Sequence, residues 1–177
     1  MQKQADATIK AKDLIRMGVA KAALLEPQEA IISEVQIRAL VIGGGLAGMT
    51  AALALASREY EVVLVEKEEI LGGVLTKLNR LAPTLTDAHS FVDQKIQAIN
   101  QHPQITVFTK ACVTEAQGFI GKYEVHIETE SGLKNIDIGV IIVATGGRIL
   151  VPEGLYNYDG QRVITQLELE ALLKEGL

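Results

Sequence analysis

Cysteine and aromatic residues are scarce in this 177-residue chain, which has one cysteine, no tryptophan and 4% aromatic residues. A single cysteine, Cys112, excludes an internal disulfide and any cysteine-rich metal or iron–sulfur site built by this chain alone. Free cysteine behaves as a small apolar side chain, and this one stands in a strand-like run. We therefore expect Cys112 to lie buried on a strand.

The chain also lacks long apolar runs and an excess of positive charge. No apolar run reaches the roughly 18 residues that a membrane-spanning helix needs. The net charge is −5, whereas surfaces that bind nucleic acid are basic. The first residues, MQKQADATIKAKDL, lack the apolar core of a secretory signal. These absences predict a cytoplasmic protein that binds neither nucleic acid nor a membrane.

Glycine, in contrast, is concentrated in the stretch VIGGGLAGMTAALALA at residues 41–56. Gly43, Gly45 and Gly48 fit the pattern G-x-G-x-x-G between an apolar strand-like run and a helix of small residues. In this pattern the first glycine makes a tight turn, the second lets the backbone approach a pyrophosphate, and the third lets helix and strand pack closely. The free N–H groups and the positive dipole end of the helix would face the phosphates. The pattern predicts a bound dinucleotide.

An acidic residue and a second glycine pair follow this motif. Glu66 ends the apolar run 61–65, close to where an acidic residue accepts hydrogen bonds from a ribose hydroxyl. Gly72 and Gly73 permit another close approach of the backbone, to the same pyrophosphate or to a ribityl chain. The alternatives are a surface glutamate at a strand end and an ordinary loop bend.

Periodicity outlines the remaining elements. Helical spacing of apolar residues predicts helices over 9–25 and 86–100, the second capped by Thr86 or Asp87. Buried strands are expected near residues 39, 61, 105 and 139, and period-two segments near residues 113, 123 and 136. We expect an α/β fold, with a mainly parallel central sheet, helices on both of its faces and a small antiparallel meander.

The same patterns divide the chain into three parts. We expect an N-terminal helix and linker over residues 1–36, a Rossmann-like domain over 37–152, and a C-terminal loop and helix over 153–177. Thr165 and Glu168 form a Thr-x-x-Glu capping box that would start the last helix.

The order of these motifs resembles a known superfamily. The stretch from Gly43 to Glu66, the second glycine pair, the period-two segments and GVIIVATGG follow one another along the chain. Together they resemble the FAD-binding domain of the glutathione reductase and thioredoxin reductase superfamily. The resemblance implies a bound FAD, and a nicotinamide nucleotide is the alternative.

Longer stretches look like the A subunit of heterodisulfide reductase. These are AKDLIRMGVAKAALLEP, LVIGGGLAGMTAALALA, VEKEEILGG, IIVATGG and VITQLELEALL. The resemblance implies a large cytoplasmic iron–sulfur flavoprotein, an oxidoreductase whose FAD passes electrons among clusters and partner subunits. Its partners would be other heterodisulfide reductase-type subunits or iron–sulfur proteins. By the same resemblance the residues against FAD are Gly43, Gly45, Leu46, Ala47 and Gly48 at the pyrophosphate, Glu66, Lys67 and Val113 at the adenosine, Gly72, Gly73, Val74 and Leu75 on the flavin side, and Ala144, Thr145 and Gly146 closing over the nucleotide.

The chain also departs from that family. The cysteine clusters are missing, and no C-x-x-C follows Gly73. The relatives continue into a second half that this sequence does not contain. We therefore expect the adenine-side FAD module of a flavoprotein, not catalytically complete alone. Three alternatives stay open: a nicotinamide-dependent domain, although no Tyr-x-x-x-Lys is present; a noncatalytic docking module; and a site completed by a second copy of the chain.

Overall fold

The computed structural model describes residues 2–26 and 34–175, which divide into two compact units, Met1–Ser33 and Glu34–Leu177. The first unit contains helix α1, Gln2–Ala23, which confirms the predicted helix and begins earlier than expected. Its apolar side chains, such as Leu14 and Val19, are exposed. In the described ranges no helix combines the length and apolar character that crossing a membrane requires.

The second unit alternates strands and helices before it changes to consecutive strands. In chain order its elements are β1 (Arg38–Ile42), α2 (Leu46–Ala56), β2 (Glu61–Val65), a short 3-10 helix (Gly73–Lys77), β3 (Arg80–Leu81), β4 (Thr86–Asp87), α3 (Ala88–Gln101), β5 (Ile105–Phe108), β6 (Cys112–Phe119), β7 (Lys122–Thr129), β8 (Gly132–Ile138), β9 (Val140–Val143) and α4 (Gln166–Glu175).

The central sheet has the strand order β5-β2-β1-β9, and every neighbouring pair is parallel. These are the four strands that the apolar runs predict. The chain leaves β1 for β2 on one side and returns to β9 on the other. In open parallel sheets the crevice at such a reversal, beyond the carboxyl ends of the strands, is where ligands bind. The carboxyl ends of β1 and β9 are therefore where this topology predicts a bound ligand.

Alternation along each strand gives the sheet two buried faces. On one face Val41 and Leu64 pack with Met49 of α2 and with α3. On the other, Leu40 and Val63 join a separate cluster with residues of β7 and β8. The α/β fold with a parallel sheet and a meander is confirmed, but the expectation of helices on both faces is wrong for the described residues. The antiparallel meander covers the second face, because its inward side chains supply the apolar layer that a helix would otherwise provide.

The meander β6-β7-β8 is antiparallel throughout, as the period-two segments predict. The expected burial of Cys112 is wrong, since this side chain is exposed. Ala111, directly before it, is buried. Successive side chains of an extended segment point to opposite sides, so the burial of Ala111 turns Cys112 outward.

Candidate functional site

The glycine loop at the end of β1 is built from close backbone contacts. Gly43 has a φ of +110°, and its N–H donates to the Val65 carbonyl at 2.8 Å. A Cβ at Gly43 would lie 2.4 Å from the Ala144 oxygen, and a Cβ at Gly48 would lie 1.8 Å from the Gly43 oxygen. Real Cβ atoms do not approach other atoms so closely, so the packing of the protein itself requires both glycines.

Gly45 is different, because nothing in the part of the chain that the structure describes requires a glycine there. It caps α2 with φ −74° and ψ −174°, an extended conformation that any residue adopts. A Cβ built on Gly45 meets no atom within 4 Å. The space in front of the helix is therefore open at this position.

The first turn of α2 supplies donors to that space. The first intrahelical bond from this turn runs from the Met49 N–H to the Gly45 carbonyl, at 2.9 Å. The N–H groups of Leu46, Ala47 and Gly48 precede it, and helix geometry gives them no acceptor within the helix. The N-cap residue, Gly45, makes no side-chain hydrogen bond to this end of the helix. Free N–H groups, the positive helix dipole and an open approach fit an anionic group such as a pyrophosphate.

Glu66 is buried directly behind the glycine loop, with only 7% of its surface exposed. Its Oε2 accepts a hydrogen bond from the Gly44 N–H at 2.6 Å, and its Oε1 accepts one from the Glu68 N–H at 2.9 Å. The carboxylate thus holds the loop in place. Each carboxylate oxygen has a second acceptor position, which leaves capacity for a ribose hydroxyl. The neighbouring Lys67 side chain is largely exposed and lies 3.5 Å from the Glu68 carboxylate.

The second glycine pair contacts the first. The Gly72 N–H donates to the Gly44 carbonyl at 2.8 Å, and Gly45 and Gly72 form a parallel bridge. A Cβ on Gly73 would lie 3.3 Å from the Gly45 Cα. The second glycine pair therefore packs on the glycine loop, and its approach to a pyrophosphate or ribityl chain stays a prediction. Beyond the pair, Val74 is about half exposed and Leu75 is buried.

The remaining site residues come from β6 and the end of β9. The Ala144 N–H donates to the Ile42 carbonyl at 2.7 Å, which places the Ala144–Gly146 segment beside the glycine loop. A Cβ on Gly146 would meet no atom within 4 Å. Val113 is half-buried in the cluster beneath the meander. It stands two residues after Ala111, whose N–H donates to the Glu66 carbonyl at 3.0 Å.

The sequence motifs do not single out Gly44, although two buried side chains pack closely against it. A Cβ at Gly44 would lie 2.4 Å from the Leu71 side chain and 3.0 Å from Glu66 Oε2. The run of three consecutive glycines, 43–45, is the sequence feature that could have indicated close packing at Gly44.

The pairing of Asn79 with Glu170 could not have been predicted from the sequence, since no local pattern connects residues so far apart. No group of three or more acidic, histidine or cysteine side chains within the ranges 2–26 and 34–175 could hold a metal ion.

Comparison with known proteins gives the class that this fold and glycine loop define. The pyridine nucleotide-disulphide oxidoreductase family matches residues 37–174, and the chain belongs to that family. The matched range contains the glycine loop, Glu66, the second glycine pair and the meander.

Curated relatives narrow the similarity. The chain is 47% identical, over 72% of its length, to the A 2 iron–sulfur subunit of the CoB–CoM heterodisulfide reductase of Methanopyrus kandleri. It is 45% identical, over 69% of its length, to the A subunit of the H2:CoB-CoM heterodisulfide, ferredoxin reductase of Methanothermobacter marburgensis. The matches cover 20% and 18% of those proteins, so the chain spans about a fifth of their length. The resemblance to the A subunit of heterodisulfide reductase is confirmed.

Solved structures agree on the fold. L-proline dehydrogenase from P. horikoshii matches 70% of this chain and 25% of its own, with a TM-score of 0.56 and 22% identity. Thioredoxin reductase of Lactococcus lactis matches 67% of this chain and 38% of its own, with a TM-score of 0.55 and 20% identity. At these identities the likeness shows a shared Rossmann-like fold.

Proposed function

We propose that this chain is the FAD-binding module of a heterodisulfide reductase A-like iron–sulfur flavoprotein that transfers electrons. The observation that carries the proposal is Gly45. Packing explains the glycines at positions 43 and 48, but no contact among the described residues requires a glycine at position 45. A ligand whose atoms lie against this backbone gives that glycine a purpose, and a pyrophosphate is the group that the adjacent N–H donors favour.

Each part of the dinucleotide has a proposed place on this chain. The pyrophosphate lies against Gly43 and residues 45–48, and Glu66 accepts a hydrogen bond from the adenosine ribose. The flavin would accept and donate electrons, while the residues of this chain bind and orient it. The remaining proposed contacts are Lys67 and Val113 at the adenosine, Gly72, Gly73, Val74 and Leu75 on the flavin side, and Ala144, Thr145 and Gly146 over the nucleotide.

This chain binds FAD, and a larger assembly completes the electron-transfer reaction. The two oxygens of Glu66 and the amides of the first helical turn recognise the half of FAD that all adenine dinucleotides share. Other heterodisulfide reductase-type subunits, iron–sulfur proteins or a second copy of this chain would supply the partners in electron transfer. The likeness of the chain to subunits of such reductases supports this assignment. The proposed location of the assembly is the cytoplasm.

Calorimetric titration with four nucleotides tests the proposal. FAD and ADP should bind the full chain, because both carry the adenosine and pyrophosphate that the glycine loop and Glu66 recognise. FMN, which lacks the adenosine half, should bind far more weakly, and the FAD complex should show flavin absorption bands after removal of free ligand. Binding of NADH in preference to FAD would favour a nicotinamide-binding domain instead. Equal binding of FMN and FAD, or no binding of ADP, would contradict the proposal.

A further inference from the structure

Helix α4 is joined to the candidate site by hydrogen bonds between Glu170 and Asn79. The helix has no buried residue of its own. Its Glu170 carboxylate Oε2 accepts hydrogen bonds from the backbone N–H of Asn79 and from its side-chain Nδ2, both at 2.9 Å. The Asn79 Nδ2 also donates to the Glu170 carbonyl at 2.7 Å. Three hydrogen bonds therefore join residues 91 positions apart.

Asn79 lies at the end of the segment that leads from the second glycine pair. The Leu75 N–H donates to the Gly72 carbonyl and the Leu78 N–H donates to the Leu75 carbonyl, each at 3.2 Å. The start of the segment is fixed in turn by the bond from Gly72 to Gly44. The 72–78 segment is thus held at one end by the glycine loop, in its middle by the packing of Leu75 in the core, and at Asn79 by α4 and by the Ala88 N–H, which donates to the Asn79 carbonyl at 3.0 Å.

We propose that Glu170 is a positioning residue that sets the 72–78 segment on the flavin side of the site by holding Asn79. The flavin side of this inference rests on the proposed function, since it assigns Gly72 to Leu75 to that half of FAD. Hydrogen bonds behind a binding segment fix its orientation, and loss of such support weakens binding without removing a ligand contact. The proposed adenosine contacts, Glu66, Lys67 and Val113, lie outside this segment, so the loss should be larger for FAD than for ADP.

Three substitutions on α4 separate the hydrogen-bonding role of Glu170 from its charge. The two bonds to the Glu170 carboxylate end on the same oxygen, Oε2, so Glu170→Gln can keep both of them through its amide oxygen. Glu170→Ala removes both and leaves the bond from Asn79 Nδ2 to the backbone carbonyl of residue 170 and the bond from the Ala88 N–H to the Asn79 carbonyl. Glu175→Ala removes an exposed carboxylate from the same helix and is the matched control. Thermal unfolding of all three variants checks that the fold is intact.

Two measurements test whether Glu170 positions the 72–78 segment, and the first of them needs no nucleotide. Amide hydrogen exchange over residues 72–78 should accelerate in Glu170→Ala and stay near wild type in Glu170→Gln and Glu175→Ala. In calorimetry, Glu170→Ala should weaken FAD binding by roughly 2- to 30-fold, the usual range for coupling through packed contacts, and should weaken ADP binding less. Glu170→Gln should restore the affinity for FAD.

The outcomes separate the two proposals. Unchanged exchange in Glu170→Ala would overturn the positioning role. Accelerated exchange with unchanged FAD affinity would overturn its connection to the flavin, and equal losses for FAD and ADP would indicate only general destabilisation. If wild-type protein binds neither nucleotide, the proposed function fails and the flavin connection with it, while the exchange measurement still decides whether Glu170 holds the segment.

Discussion

The glycine loop and the C-terminal segment of residues 153–175 are held in place by different kinds of contact. The loop depends on the absence of Cβ atoms at Gly43 and Gly48 and on a buried carboxylate. The C-terminal segment depends on carboxylates near the surface. Asp159 accepts hydrogen bonds from the backbone N–H groups of Gln161, Arg162 and Val163. Glu168 accepts one from the Tyr158 hydroxyl and closes the predicted capping box with Thr165.

The glycine contacts of the loop are steric support, whereas the carboxylates of the C-terminal segment are electrostatic support. A backbone contact between glycines has no charge to lose, so it is sensitive to added atoms. A carboxylate that accepts N–H or O–H donors is sensitive to protons. The Tyr158 hydroxyl and the Thr165 donors lower the pKa of Glu168, and the same hydrogen bond raises the pKa of Tyr158. We therefore expect substitutions to break the loop and acid to loosen the C-terminal segment.

Gly48→Ala should have the largest effect. Its Cβ would lie 1.8 Å from the Gly43 oxygen, and backbone on both sides must shift to admit it. We expect a loss of about 3–5 kcal/mol in the free energy of unfolding. Gly147→Ala is the control, because its Cβ meets no atom within 4 Å. Urea unfolding measures both variants, and similar stabilities would show that the loop is not sterically constrained.

Glu66→Ala should have the next largest effect, on stability and on binding. Removing the carboxylate leaves the Gly44 N–H without its acceptor behind the loop, which costs about 1–3 kcal/mol. A charge-assisted bond to the ribose is of similar strength, so affinity for FAD, NAD and ADP should each fall about ten- to a hundredfold. Glu66→Gln, which keeps the volume and one acceptor oxygen, should lie between wild type and alanine. If ADP affinity does not change, Glu66 only supports the loop.

The acid response of Asp159 should be the smallest effect, confined to the C-terminal segment. The backbone N–H groups of Val163, Gln161 and Arg162 lower its pKa from the ordinary 3.8 to about 2. A lowered pKa means that its stabilising contribution is present above about pH 4 and is lost as the pH falls through about 2. Nuclear magnetic resonance should show the Asp159 carboxyl and the Val163 amide titrating together at that low pH. Asp159→Asn should abolish this step, and a midpoint at the ordinary value would contradict the account.

The same contrast explains how far the sequence could predict the structure. The glycine loop and the four parallel strands have local signals: apolar runs, a glycine spacing and a helix of small residues. The capping box at Thr165 and the cap at Asp87 are local too, and the structure confirms both, with the Asp87 side chain accepting from the Ser90 N–H at 2.7 Å.

Contacts between distant residues have no such signal. Period-two alternation predicts the strands of the meander but not which face of the sheet they cover, because that depends on the path of the chain. The burial expected for Cys112 is wrong because alternation gives the period and not the phase. The bond between Gly72 and Gly44 and the attachment of Asn79 to Glu170 arise only once the sheet is assembled.

Gly45→Ser tests the central claim most directly, because serine suits the fold at this position and obstructs the proposed ligand. Serine is a favoured helix N-cap, and the extended backbone at Gly45 accepts it without strain. Its side chain would occupy the open space and compete for the amides of the first turn of α2. We predict a free energy of unfolding within about 0.5 kcal/mol of wild type, and calorimetric affinities for FAD and ADP lower by at least about a hundredfold. A stable Gly45→Ser protein that binds FAD as tightly as wild type would show that the pyrophosphate does not lie against this loop.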